Sequence, residues 1–286
     1  MTKFKLRNIF FILSLFILFW SMLSFNSNAN PVPIASPELG GLIPKEDTNC
    51  SMTNANVIVE IDATNLNKII DFSFSGNYTI FNPSEMINVT IAAPFSNMIY
   101  SENIIGDISL NDSSIPFSIR PFNFWDSLWF ESSLWKEYLQ GSGIPYITFL
   151  ICNITIPENT SITLEYTFDS NITVDLRALG ELFFRYEVGT SRVWKGNVTE
   201  SVEFRVFGKT PDEFYNNSCT VSDLQDGKIY LWEWKNEIIY DDYVYIMYHG
   251  NYSWPPYFIP FGNSFLTIKI IFVFVLVYVI KLRRSK

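Results

Sequence analysis

Ten Asn-x-Ser/Thr sequons are the residues of this chain whose types and spacing point most directly to chemistry. They lie at Asn49, Asn77, Asn88, Asn111, Asn153, Asn159, Asn171, Asn197, Asn216 and Asn251. Each offers a side-chain amide for N-glycosylation, a modification of exported chains. Asn153 stands in an apolar alternating run and is expected to lie too close to a strand core to be modified, which leaves the other nine as candidates. A further match at Asn82 is blocked by Pro83.

Other reactive groups are sparse. Cys50, Cys152 and Cys219 are the three cysteines and His249 is the one histidine. An oxidising exterior permits one disulfide among the three with one thiol left over, and the pairing stays open. No pair has C-x-x-C spacing, and zinc sites and Cys-His or Ser-His-Asp catalysis need ligands or a base that this chain lacks. No G-x-S-x-G, Walker A or dinucleotide fingerprint occurs. The expectation is no catalytic residue, no metal and no cofactor.

The elements that position these residues begin with two apolar segments at the ends of the chain. Ile9 to Leu23 follows Lys3, Lys5 and Arg7, and a polar stretch ends in Ser27-Asn28-Ala29, the parts of a signal peptide over residues 1–29. Phe265 to Ile280 precedes Lys281, Arg283, Arg284 and Lys286, which reads as a transmembrane helix over 263–281 with a basic tail over 282–286. As a helix that apolar run rises only ~24 Å against a ~30 Å hydrocarbon core. Lys269 and Lys281 would therefore snorkel to the two interfaces. Pro255, Pro256, Pro260 and Gly262 mark a juxtamembrane segment over 255–262; Pro260-Phe261-Gly262 also admits a cleaved sorting signal. Cationic flanks stay cytoplasmic, so residues 30–262 are expected outside, with the lipid bilayer as a partner through the C-terminal helix.

Charge agrees with that topology. Residues 30–262 hold all 29 Asp and Glu but 12 of the 20 Lys and Arg, a balance of −17. Nucleic acid and anionic lipid require a cationic footprint, so both are excluded as partners of this zone.

Residues 30–48 carry Pro31, Pro33, Pro37, Pro44 and Gly40-Gly41, which read as an extended linker. Residues 49–254 then alternate with period two, as in Val57, Val59, Ile61 and in Ile87, Val89, Ile91, broken every eight to twelve residues by Asn, Gly, Pro or Asp. The expected fold is all-β, an antiparallel β-sandwich, of one or two lobes, with one inserted helix. That helix is Asp126 to Leu139, N-capped by Asp126 and ended by Gly141. Its Trp129 and Trp135 are expected to close the sandwich, with Trp125 the more exposed ring. The functional alternative is an aromatic platform of Trp125, Trp129 and Trp135 for sugar rings or a partner. Trp194 is expected in the core, with Gly196 turning the chain after it.

Gly76-Asn77-Tyr78-Thr79-Ile80-Phe81-Asn82, followed by Val89-Thr90-Ile91-Ala92-Ala93-Pro94-Phe95, resembles a pattern of uncharacterised secreted prokaryotic β-domains. Phe184-Arg185-Tyr186 and Thr190 to Val198, with Trp194-Lys195-Gly196 within it, are similar to a second element of the same domains. The bias toward Ile, Asn, Phe and Tyr also resembles archaeal surface proteins. The resemblance implies a secreted all-β fold and brings no assigned activity.

The function expected is therefore a membrane-anchored, N-glycosylated cell-surface protein, non-enzymatic, with a surface protein or a glycan as its partner. The alternative is a membrane-anchored carbohydrate-binding or glycoside-active protein, since paired carboxylates act as acid and base without histidine.

Overall fold

The computed structural model describes residues 34–35, 38–96, 104–123, 146–174 and 180–250. Strands fill most of them. The first nine are β1 (Ile34–Ala35), β2 (Glu38–Gly40), β3 (Ile43–Pro44), β4 (Ser51–Ala63), β5 (Ile69–Asn82), β6 (Ile87–Ser96), β7 (Ile105–Leu110), β8 (Ser113–Ser114) and β9 (Phe117–Asn123). The rest are β10 (Tyr146–Ile156), β11 (Thr160–Thr173), β12 (Glu181–Glu187), β13 (Val198–Gly208), β14 (Glu213–Phe214), β15 (Cys219–Leu224), β16 (Gly227–Glu237) and β17 (Val244–His249).

Two sheets result. Sheet A runs β14-β17-β12-β2-β6-β10-β9, with β1 beside β12 and β3 beside β6; sheet B runs β15-β16-β13-β4-β5-β11-β7-β8. Their inner faces meet because every second residue is apolar. In β5 the residues Ile70, Phe72, Phe74, Tyr78 and Ile80 are buried while Asp71, Ser73, Asn77 and Thr79 point away. Phe74 is central: its ring stacks on Phe168 at 5.0 Å and meets Phe95 at 6.0 Å and Tyr186 at 6.3 Å. Phe74 and Phe168 belong to sheet B, and Phe95 and Tyr186 to sheet A, so these contacts hold one sheet to the other.

The sandwich is mixed, which corrects the antiparallel expectation. β13 pairs with β4 in parallel, from Thr199 opposite Asn54 to Gly208 opposite Ala63. β12 likewise runs parallel to both β1 and β2. Side chains alternate with the same period in either direction, so alternation carries no information on a neighbour's polarity.

Among the described residues no helix is long and apolar enough to cross a membrane. Apart from strands and turns they hold one 3-10 helix, Val188–Val193. The expected signal helix, transmembrane helix and Asp126–Leu139 helix fall outside the described residues.

Residues 38–44 are not a linker. Leu39, Leu42 and Ile43 are fully buried, because these apolar side chains complete the core of sheet A. The two glycines serve close approach here: a Cβ on Gly40 would meet Pro94 Cγ at 2.1 Å, and one on Gly41 would meet Thr190 Oγ1 at 2.3 Å.

Trp194 lies in the core as expected, 4% exposed, and donates from Nε1 to the Leu42 carbonyl at 2.9 Å. Gly196 turns the chain after it with φ +79°.

Phe74→Ala should remove the centre of the aromatic layer and destabilise the fold by about 3–5 kcal/mol. Denaturant unfolding followed by tryptophan fluorescence measures this; a loss below 1 kcal/mol would contradict the central place given to that ring.

Candidate functional site

Outward-facing positions of the strands and turns carry the sequons. Asn49, Asn88, Asn111, Asn159, Asn197 and Asn216 are exposed, and Asn77 and Asn171 are partly so. Asn153 is exposed as well, between inward Cys152 and Ile154, which corrects its expected place near a strand core. Asn251 lies outside the described residues. The Pro83-blocked Asn82 is the contrast. It is 1% exposed, and its Nδ2 donates to the Glu85, Ile156 and Pro157 carbonyls at 2.8, 3.2 and 3.1 Å. Asn82 thereby pins the β5–β6 turn to the β10–β11 turn at one end of the sandwich.

That end is where sequons concentrate. Asn49 precedes Ser51, which pairs with Phe81; Asn159 is in the β10–β11 turn; Asn197 precedes β13, whose Thr199 lies opposite Asn54. Asn111 accepts from the Thr163 amide, near the start of β11. Asn88 and Asn153 sit where β6 and β10 pair, and each accepts the hydroxyl proton of the other sequon's threonine, Thr155 to Asn88 at 2.6 Å and Thr90 to Asn153 at 2.7 Å. Asn77 is in the same half of β5, five residues before Asn82. Of the described sequons Asn171 alone is at the opposite end, opposite Asp71, and Asn216 is on the lateral loop between β14 and β15.

Both described chain ends leave from that opposite end. β6 starts at the Asn82 end, β2 pairs antiparallel to it, and β12 runs parallel to β2, so Glu181 at the start of β12 is remote from Asn82. Ile34 and His249 both pair with Glu181.

Between the sheets lies a chain of buried polar groups that the sequence reading missed. Tyr186 hydrogen-bonds to Glu200, and the Tyr78 hydroxyl stands 3.3 Å from the Tyr186 hydroxyl. A hydroxyl has one proton, so a Tyr186 that donates to a Glu200 carboxyl oxygen accepts from Tyr78. The Tyr78 and Tyr166 rings meet edge to face at 6.4 Å, and the Tyr166 hydroxyl contacts Cys152 Sγ at 3.2 Å. Glu200 is 1% exposed, and its Oε2 has no hydrogen-bond partner among the described residues. Burial pushes its carboxyl up to about 8, against the pull of Tyr186. A signal existed in the sequence: Val198, Glu200, Val202, Phe204 and Val206 form one alternating column, and that column is buried.

The three cysteines are free thiols, with Cys50 and Cys152 buried. The one disulfide that an oxidising exterior would permit is not formed among them. Cys50 precedes β4, Cys152 faces Tyr166 and Cys219 opens the lateral strand β15. Burial raises the Cys152 and Cys219 thiols to about 11, so neither is a ready nucleophile. His249 is taken up by Glu213, at 3.0 Å from Nε2, and its backbone amide donates to Asp212.

Two surfaces could take a ligand. On the outer face of sheet B, an open groove of about 410 Å³ is lined by Glu60, Asp62, Asp71 and Asp169, with Ile105 and Phe207 beside them. Arg205 bridges Glu60 at 2.9 Å and also pairs with Glu203, so part of that charge is neutralised. No group of three or more His, Cys, Asp or Glu among the described residues is placed to hold a metal.

On the outer face of sheet A, Tyr245 gathers Phe183 at 5.6 Å, Tyr243 at 6.1 Å and Tyr215 at 6.2 Å, and the Arg185 guanidinium covers the Tyr243 ring at 4.6 Å. Trp125, Trp129 and Trp135, expected to form the aromatic platform, lie outside the described residues.

No protein-family model and no curated protein matches the chain. Among solved structures, a provisionally assigned nutrient-binding protein from Legionella pneumophila aligns with TM-score 0.56 at 15% identity, over 76% of this chain and 72% of that one. That likeness shows the fold alone. An M1 zinc metallopeptidase from Deinococcus radiodurans aligns with TM-score 0.34 at 8% identity, over 70% of this chain and 42% of its own. Yeast LTA4 hydrolase aligns with TM-score 0.32 at 11% identity, over 70% of this chain and 29% of its own. Neither of the last two likenesses carries weight at that score.

Glu200 makes stability depend on pH. Between its ordinary value of 4.5 and about 8 the folded chain keeps a proton that the unfolded chain has released, so stability falls as pH rises through that window and levels off above it. The loss is up to about 1.4 kcal/mol per pH unit. Glu200→Gln should abolish this slope and leave the variant more stable than the parent at pH 8.5; urea midpoints from pH 5 to 8.5 measure it, and an unchanged slope would contradict the assignment.

Proposed function

We propose that residues 30–262 are the exterior of a membrane-anchored, N-glycosylated cell-surface protein whose role is recognition or envelope structure, without catalysis. The observation that carries this reading is the placement of the sequons. Every described sequon asparagine that can be modified reaches the surface, and the buried match, Asn82, is the one that proline blocks. Burying an asparagine in a folded core is compatible with its hydrogen bonds and incompatible with a glycan.

The polarity of the sandwich supports the same reading. The chain leaves at the end remote from Asn82, on the way to the apolar C-terminal segment, while most sequons crowd the Asn82 end. A protein held at a bilayer by that segment would present a sugar-covered tip. The acidic exterior suits this arrangement, because carbohydrate and carboxylates keep the surface hydrated and non-adhesive toward nucleic acid.

The acid-lined groove favours one second reading, a membrane-anchored carbohydrate-binding or glycoside-active protein. Asp71 and Asp169 would then serve as the acid and base pair. Hydrolysis of a glycoside panel, lost in Asp71→Asn and Asp169→Asn, would establish it; no turnover and no binding on a glycan array would remove it.

For the principal reading, intact cells treated with a membrane-impermeant amine reagent should yield protein labelled at Lys195 and Lys235, both exposed. The protein should stay with the membrane pellet through an alkaline wash. Labelling that appears only after lysis, or release by alkali, would overturn the reading.

A further inference from the structure

The outer aromatic face of sheet A is built from Phe183, Tyr243 and Tyr245, which lie outside the core, and from Tyr215, which packs against its edge. Leu182, Phe184 and Tyr186 of β12 point inward and are fully buried, which leaves Phe183 and Arg185 on the outside. Tyr245 of β17 is their outward neighbour, and Tyr243 is 39% exposed. Tyr215 joins from the lateral edge, where its backbone amide donates to the Tyr245 carbonyl at 2.9 Å. Its hydroxyl donates to Asp241 at 2.5 Å, and the ring lies beside Tyr245, tilted 50° to it at 6.2 Å.

The two arginines beside these rings are paired within the chain. Arg185 pairs with Glu187 at 2.6 Å, Arg192 pairs with Asp242, and Asp241 takes the Tyr215 hydroxyl. An anionic occupant would therefore meet arginines that already have carboxylate partners. Half-exposed tyrosine rings, with the Tyr215 hydroxyl anchored on Asp241, suit a neutral ligand that has both C–H faces and hydroxyl groups, the chemistry of a pyranose ring.

An attachment site for such a ligand is one residue away. Asn216 follows Tyr215 directly, is exposed, and heads the sequon Asn216-Asn217-Ser218. The turn it opens curls back on the aromatic edge: the Cys219 amide bonds to the Asn216 carbonyl, and Asn217 Nδ2 reaches the Tyr215 hydroxyl at 3.4 Å. Ser218 holds the turn with φ +58°.

We propose that the face of Phe183, Tyr215, Tyr243 and Tyr245 is a carbohydrate-binding face, and that it is occupied by the first sugar rings of a glycan carried on Asn216. This rests on the glycosylated-exterior reading given above. Stacking on the rings fixes the glycan against the β14–β17 edge of sheet A, where unpaired backbone groups of an edge strand would otherwise meet other chains. Neutral sugar satisfies that surface without adding charge.

Proton–carbon NMR of the native glycoprotein tests this, with glycopeptide mass spectrometry to establish whether Asn216 carries sugar. Sugar C–H signals shifted upfield by the tyrosine ring currents are expected. They should vanish in Asn216→Gln and in Tyr243→Ala, and persist in Tyr243→Phe, which keeps the ring. Thermal unfolding confirms that each variant is folded, and Tyr243→Leu replaces Tyr243→Ala if that one is not. Sugar on Asn216 with unshifted signals overturns the proposal and leaves the glycosylated-exterior reading standing. So does a bare Asn216 beside occupied sequons elsewhere. Sugar at no sequon overturns both. Shifted signals that survive Asn216→Gln assign the face to another glycan, and self-association lost in Tyr243→Ala assigns it to a second copy; either result overturns the proposal.

Discussion

The packing of Phe74 against Phe168, Phe95 and Tyr186 is the contact on which the rest of the structure depends. Two sheets can bury their inner faces only if both send large apolar side chains into one layer, and these rings lie at its centre. Around them Phe72, Phe184, Phe204 and Trp232 extend the layer toward both edges. Because the layer commits every second residue of the long strands, the residues between them are turned outward, and the surface chemistry follows from that parity.

The same parity brings in one group that conflicts with the core. Glu200 stands in the inward column of β13 between Val198 and Val202, and its carboxyl is buried with one oxygen lacking a hydrogen-bond partner among the described residues. Tyr186 and Tyr78 relay one donor toward it, which offsets part of the cost of desolvation. Gly76 belongs to this arrangement, since a Cβ there would meet the Tyr78 ring at 2.6 Å. The Gly76-x-Tyr78 spacing therefore has a steric origin: the glycine makes room for the buried tyrosine two residues on.

Much of the fold was legible in the chain. The alternation of Val57, Val59 and Ile61, and of Phe72 and Phe74, places their side chains inward, and the structure buries all five. Strand direction was not legible, because the pairing of β4 with β13 joins segments far apart in sequence and leaves no local mark. Proline and glycine over residues 30–48 read as a linker because composition reports backbone freedom, while the burial of Leu39, Leu42 and Ile43 is set by their partners across sheet A. Of the surface chemistry, the sequons were readable residue by residue, but their concentration near Asn82 needed the register of six strands. The aromatic face of sheet A joins Phe183, Tyr215, Tyr243 and Tyr245 from separate segments, so no window of sequence contains it. Glu200 could have been found by carrying the Val202 to Val206 column two residues back.

A parity-driven surface with sugar gathered at one end is the centre of this account, and site-resolved glycan occupancy of the native protein tests it most directly. Glycan is expected on the sequons of the Asn82 end, including Asn49, Asn111, Asn159 and Asn197, with Asn82 itself bare. A native protein without sugar at any of those four asparagines would contradict it.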